Sequence, residues 1–379
     1  MRMMMLVVRG KRLVAAVAAA GVVIAAIAAG SCSLRAGQSA LSDAAYPVVT
    51  PTPEPEGAPS KDYIKWVDFQ VSASAMKDAL DYDIQSHGSD TPLYFVEMIS
   101  YLGARYGGNF NRYKKSDLAK LVDQLRQGQT MEALTADMQY YAYYREAYGA
   151  VLDGFVGDYY IQCADESGAV RWEQRYGLKV FSPFAKGYYY GDFDDFGSSR
   201  SYGFARKHLG HDMMASVGTP IVAVESGVVE AVGWNQYGGW RIGIRSLDRK
   251  RYYYYAHLRK DHPYAPDLKE GQVVKAGDLI GYLGMTGYST KENVNNINTP
   301  HLHFGMQLVF DESQKEALAE IWIDVYDIIQ VLASSRSAVN RPEGSADFVR
   351  TYDFYEPSLS PYLPKPESLD AFLRQQGGG

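Results

Sequence analysis

From about Gly177 the chain stops reading as helix. Short apolar runs alternate with turn-forming pairs. The runs are Ile221–Val224, Val228–Val232, Trp240–Arg245, Arg251–Leu258, Leu279–Leu283 and His301–Phe310. Thr219-Pro220, Ser226-Gly227, Gly238-Gly239, Glu270-Gly271 and Ala276-Gly277 punctuate them. Runs this short cannot supply a bundle of helices; they demand strands joined by tight turns. The pattern predicts an all-β domain over residues 177–335. It also predicts a closing amphipathic helix at Ile321–Ala333 and a flexible, polar C-terminal tail over 336–379.

The preceding part reads differently. Over residues 61–160 the apolar positions recur at helical spacing, as in Ala75-Met76, Ala79-Leu80 and Ile84. Pro92 opens a segment to Tyr106 that Gly107-Gly108 ends. Ser116 is placed to cap Asp117–Arg126. Thr130 is placed to cap a helix running through Leu134, Met138, Tyr141, Tyr144, Tyr148 and Leu152. A small all-α domain is expected, with nothing catalytic in it. His87 reads as a solvated loop residue and Cys163 as a free thiol.

Arg2, Arg9, Lys11 and Arg12 precede Leu13–Gly30, which carries no charge. A basic flank before an apolar run reads as an export segment, and positive charge stays on the cytoplasmic side. Residues 1–32 are therefore expected to be a signal or transmembrane anchor, with the remainder outside the cytoplasm. Ala29-Gly30-Ser31-Cys32 also resembles a lipobox, so a lipoprotein at Cys32 or a secreted chain are the alternatives. Residues 33–60 carry Pro47, Pro51, Pro53, Pro55 and Pro59 and read as a Pro-rich linker. Its stretch from Ser39 to Ser60 could reach roughly 70 Å if extended.

With 379 residues, several domains are expected. The net charge of −6 argues against a nucleic-acid partner. Two cysteines exclude a Cys-rich zinc module. Seven histidines are few enough to read singly, and five of them fall in short motifs. These are His208-Leu209-Gly210-His211-Asp212, Tyr255-Ala256-His257-Leu258 and His301-Leu302-His303-Phe304. Two His and one Asp would suit a catalytic zinc site, which keeps a fourth position open. Strand alternation puts His301 and His303 on one face, Cα atoms about 6.6–7 Å apart, which suits one ligand and one neighbour. His208 and Asp212 would lie about 13 Å apart in a straight strand. They can share an ion only if the chain bends, and Gly210 permits that. His257 is expected to share a strand face with Tyr255 and Tyr253, which could line a groove. His211 points away, and His262 reads as a loop residue.

The segment from about Tyr202 to Phe310 resembles the lysostaphin-type zinc peptidases, the M23 or LytM-like family. The family pattern is His-x-x-x-Asp, Gly-Thr-Pro-x-x-Ala with a following Gly, Tyr-x-His-Leu, and a Gly-rich stretch before His-x-His. Here it is carried in order by His208 to Asp212, Gly218-Thr219-Pro220-Ile221-Val222-Ala223, Ser226-Gly227, Tyr255-Ala256-His257-Leu258, Glu270 to Gly281, Thr286 to Thr290, and Pro300 to Phe304. The resemblance implies the duplicated-hybrid-motif β fold. It implies one Zn2+ held by His208, Asp212 and His303, with His257 and His301 acting on substrate. Tyr202 matches a tyrosine of some members that could face the oxyanion, although 31 tyrosines mean that none marks a site alone. The implied activity is hydrolysis of peptidoglycan cross-bridge peptides. The runner-up is an inactive scaffold or an activator of another cell-wall hydrolase. The residues Lys291–Thr299, rich in Asn, lengthen the approach to His301, and a polar loop there would rim the cleft. Arg259–Asp267 is lengthened as well.

Overall fold

The computed structural model describes residues 63–201, 205–315 and 319–376, all within one compact unit. The expected anchor (1–32), linker (33–60) and Tyr202 lie outside the described residues. Among the described residues no helix is long and apolar enough to cross a membrane.

Five helices come first: α1 (Ala73–Ser86), α2 (Phe95–Tyr106), α3 (Lys115–Arg126), α4 (Met131–Thr135) and α5 (Tyr141–Leu152). Ser72 and Thr130 cap α1 and α4 by accepting from the Ala75 and Ala133 amides. Gly107, with φ 64°, closes α2. The single helix expected after Thr130 is two. The Thr135 hydroxyl bonds back to the Met131 carbonyl, and the Met138 and Tyr141 amides close successive turns that start α5 afresh.

A hairpin follows, β1 (Val156–Ala164) and β2 (Val170–Leu178), then a short ribbon, β3 (Ser199–Ser201) and β4 (Ala205–Lys207). Next come β5 (His211–Met214), β6 (Pro220–Val222), β7 (Gly227–Asn235), β8 (Gly239–Ser246), β9 (Arg251–Ala256), β10 (Val273–Val274), β11 (Leu279–Tyr282), β12 (His301–Leu308) and β13 (Ile321–Ile323). The main sheet runs β10-β7-β8-β9-β12-β13, and β5 pairs with the first half of β12. β11 and β6 form a separate two-stranded pair. The all-β expectation over this region holds.

Three expectations are corrected. The segment at Ile321 opens as strand, not helix. Ile321 and Ile323 alternate into the core and pair with Leu308 and Met306, and the helix, α6 (Tyr326–Leu332), begins only after them, with the Tyr326 amide bonding to Asp324. The C-terminal segment is not a loose tail. It forms β14 (Val339–Asn340), β15 (Val349–Arg350), β16 (Phe354–Tyr355) and α7 (Glu367–Gln376). β16 extends the β1–β2 hairpin, and Leu359 and Leu369 are buried against Trp172. Ion pairs Lys179–Glu356 and Lys275–Asp353 fasten it. Its polar composition hid a few well-spaced apolar anchors.

The helices, finally, do not stand apart. One buried cluster contains Ile99, Tyr148 and Phe155 together with Tyr253 and Phe304 of the sheet. Arg251, fully buried on β9, donates to the Ala150 carbonyl of α5 at 2.7 Å. It pairs with Glu225 at 2.9 Å and Asp248 at 2.8 Å, and Tyr253 donates to the same Glu225. A charge this deep is tolerated because each of its three nitrogens has a partner and two carboxylates face it.

Candidate active site

The centre of the site is β12, gripped on one edge by β9 and on the other by β5. His303 stands opposite Asp212 on β5 and Ala256 on β9. His208 arrives from the turn between β4 and β5. Its Nε2 lies 3.0 Å from Asp212 Oδ1 and 3.0 Å from His303 Nδ1, and His303 Nδ1 is 2.9 Å from the same Oδ1. Three donor atoms thus converge on a triangle with sides near 3 Å. Tetrahedral donors about 2.0–2.1 Å from one zinc ion would stand about 3.3 Å apart. The set is two imidazoles and one carboxylate, and it fits that ion. Among the described residues it is the group of His, Cys, Asp and Glu side chains arranged to hold a metal.

Gly210 does what the sequence required, for an added reason. A Cβ there would come within 2.6 Å of the His303 ring, so the turn is free of a side chain where the imidazole sits. His301, two residues back on β12, faces the same side, its Nε2 3.7 Å from Asp212 Oδ1. Its Nδ1 is 2.8 Å from the Thr299 carbonyl. His257 reaches the site from the end of β9, its ring 4.8 Å from that of His301 and 5.8 Å from that of His303. His257 Nδ1 is 2.9 Å from the Thr286 carbonyl. A carbonyl only accepts, so in both His257 and His301 the proton resides on Nδ1 and Nε2 is left as the working nitrogen.

His257 corrects the expected tyrosine face. Its φ is 61°, a left-handed conformation that breaks strand alternation. Tyr253 and Tyr255 are therefore in the core, and Tyr252 and Tyr254 share the cleft with His257. The Asn-rich loop does not line the cleft. Asn293 instead accepts from Trp240 Nε1 and the Asp261 amide, tying the loop down, and Tyr288 forms that wall. His211 is buried against Asp192 and away from the site. His262 is more than a loop residue, since it pairs with Asp347 at 2.6 Å and stacks on Tyr282.

Electrostatics separate the members. Burial works against the Asp212 carboxylate. Hydrogen bonds with His208 and His303, and the charges of His303 and His301, nevertheless hold it well below the usual range. Burial also opposes the His208 imidazolium, but Asp212 and Asp195 outweigh it and raise its pKa. Burial, then His301 and His303, push His257 well below its ordinary value. Burial lowers His303 in spite of Asp212.

Sequence reasoning missed Asp195. Its buried carboxylate lies 3.1 Å from His208 Nδ1, behind the nitrogen that faces Asp212. Arg200 pairs with Asp195 and lies 3.3 Å from Asp212 Oδ2. The available signal was the acidic pair Asp194-Asp195 upstream of His208, because a ligand histidine commonly donates its other nitrogen to a carboxylate.

The cleft that opens from these residues measures about 870 Å3. Residues 206–316 match the family model described as peptidase family M23. An L-Ala–D-Glu endopeptidase of Bacillus subtilis is 43% identical over 110 residues, 29% of this chain and 32% of that protein. Lysostaphin of Staphylococcus staphylolyticus is 41% identical over 98 residues, 26% of this chain and 18% of that protein. The matched stretch thus spans about a third or less of these curated relatives. The solved catalytic domain of lysostaphin from Staphylococcus simulans is 32% identical, covering 37% of this chain and 92% of that domain, with a TM-score of 0.29. The ordered histidine motifs and the match to the family model agree: residues 206–316 of this chain form a domain of peptidase family M23.

Proposed function

We propose that this chain is a zinc-dependent endopeptidase that cuts peptide bonds in the cross-linking peptides of peptidoglycan, acting outside the cytoplasm. The convergence of His208 Nε2, Asp212 Oδ1 and His303 Nδ1 within one triangle carries the reading. The relatives named above, an L-Ala–D-Glu endopeptidase and lysostaphin, support the substrate class. The apolar run Leu13–Gly30 supports export and attachment to a membrane.

In this reading His208, Asp212 and His303 hold the ion. Zinc bound there supplies a water of lowered pKa and polarises the carbonyl to be attacked. The chain's own groups do the rest. His257, kept neutral by burial and by its histidine neighbours, offers Nε2 as an acceptor for the water proton. His301, on the same side of the cleft, offers its Nε2 as the second site at which a proton is held. When protonated it can donate to the oxygen that becomes anionic or to the departing amine. Arg200 and Asp195 keep His208 and Asp212 in place. Tyr254 packs edge-on beside His303, ring centroids 6.0 Å apart.

The test separates metal from chemistry. Purified protein should contain one zinc per chain by elemental analysis. His303→Ala should lose it, while His257→Ala should keep it and release no new amines from purified sacculi. A wild-type protein that holds zinc and releases none from sacculi of any cross-link type would point to a scaffold instead.

A further inference from the structure

The cleft does not end at the histidines. Its floor is the exposed face of the main sheet, where Tyr254 and Tyr252 of β9 lie beside Arg241 of β8. Ile242 pairs with Tyr255, so Arg241, one step along, comes level with Ala256, which itself pairs with His303. Arg241 therefore lies in the same cross-sheet row as a proposed metal ligand, two strands away, or about 10 Å between backbones.

Most charges in the cleft are already matched. Arg200 is paired with Asp195 and Asp212, and Lys315 with Glu230 and Glu312. Arg241 is different: among the described residues no carboxylate pairs with it. Among the described residues Arg206, on β4, has no carboxylate partner either. It lies over the Tyr288 ring at 4.9 Å, and its buried Nε has no hydrogen-bond partner. Both guanidinium charges act on the half-buried Tyr254, which lines the same cleft. Two half-buried guanidinium groups without carboxylate partners in one half-enclosed cleft are groups that an anionic ligand can complete.

We propose that Arg241, with Arg206, determines specificity by binding a free carboxylate on the substrate peptide, within about two residues of the bond to be cut. This rests on the peptidase reading of the same cleft and adds the charge class of its substrate. An extended peptide advances about 3.3 Å per residue, so a carboxylate two residues from the histidines comes within reach of the Arg241 side chain. Guanidinium prefers carboxylate because the two pair in a bidentate fork, which a carboxamide cannot match.

The experiment uses two end-blocked synthetic stem-type peptides. One contains D-Glu linked through its side chain with the α-carboxyl free, and the other has that carboxyl amidated. Dissociation constants for the full chain are measured by calorimetry, and cleavage is followed separately by mass spectrometry. The acid peptide should bind about tenfold or more tightly than the amide, the scale of a charge-assisted pair. Arg241→Gln should bring the acid down to the affinity of the amide. Equal affinities of the wild-type protein for the two peptides would overturn the proposal, whatever the variant does. So would an Arg241→Gln protein that keeps the full preference. A preference in binding without cleavage of either peptide would uphold the carboxylate site and count against the peptidase reading alone.

Discussion

Asp195 shows how much of the proposed metal site lies behind its ligand residues. Its backbone carbonyl accepts from His208 Nδ1 at 3.4 Å, which leaves Nε2 to face Asp212, and its carboxylate, 3.1 Å from the same nitrogen, adds negative charge behind the ring. Asp195→Asn keeps the shape and removes the charge. It should weaken zinc binding by about 10–100-fold in a chelator-competition titration. His257 makes a second prediction, through pH. Its pKa in the folded chain is held well below 6.5, first by burial and then by His301 and His303. Below pH 6.5 the unfolded imidazole takes up a proton that the folded one refuses. The stability it contributes is therefore complete above 6.5 and is lost as pH falls toward the folded value. The slope from this one group is at most about 1.4 kcal/mol per pH unit. His257→Gln should flatten the fall of denaturant midpoint below pH 6.5. An unchanged slope would mean that His257 is not held neutral.

At the scale of elements, the site depends on how α5 meets β9. Gly154, just after α5, packs against the Glu225 carboxylate and the Arg251 guanidinium so closely that a Cβ has no room. Gly154→Ala must push the buried pair apart or displace α5, and breaking such a pair costs about 3–5 kcal/mol. The expected result is a loss of that size in urea denaturation, with the zinc triangle intact at low temperature. Legibility in the sequence varied with locality. The strands β7, β8, β9 and β12 were readable because alternation and Gly-containing turns are short-range signals. So was the meeting of His208, Asp212 and His303, because the ordered motifs specify a known arrangement. Which tyrosines face the cleft was not readable, since that rests on one left-handed residue, His257, whose φ only the tertiary fold imposes. The strand at Ile321–Ile323 was missed because three residues with two apolar ends fit a helix as well as an edge strand. Asp195 and Arg241 carry no local pattern; their meaning comes from what lies across the cleft.

At the scale of the whole molecule, one described unit joins helices, sheet and the C-terminal segment around a single buried cluster with satellites. The chain is acidic overall, with a net charge of −6, while its cleft keeps two arginines, Arg206 and Arg241, that have no carboxylate partner among the described residues. Such a field draws an anionic peptide inward and offers nothing to hold the protein on an anionic wall. The central claim is that the histidine triangle works as a zinc site for peptide hydrolysis. The most direct measurement is mass spectrometry of the fragments released from purified peptidoglycan by the zinc-loaded full chain, with and without a chelator. The account predicts new amino termini at one type of peptide bond, absent with chelator and restored by added zinc. Fragments that persist after complete zinc removal, or that arise from glycan bonds, would contradict it.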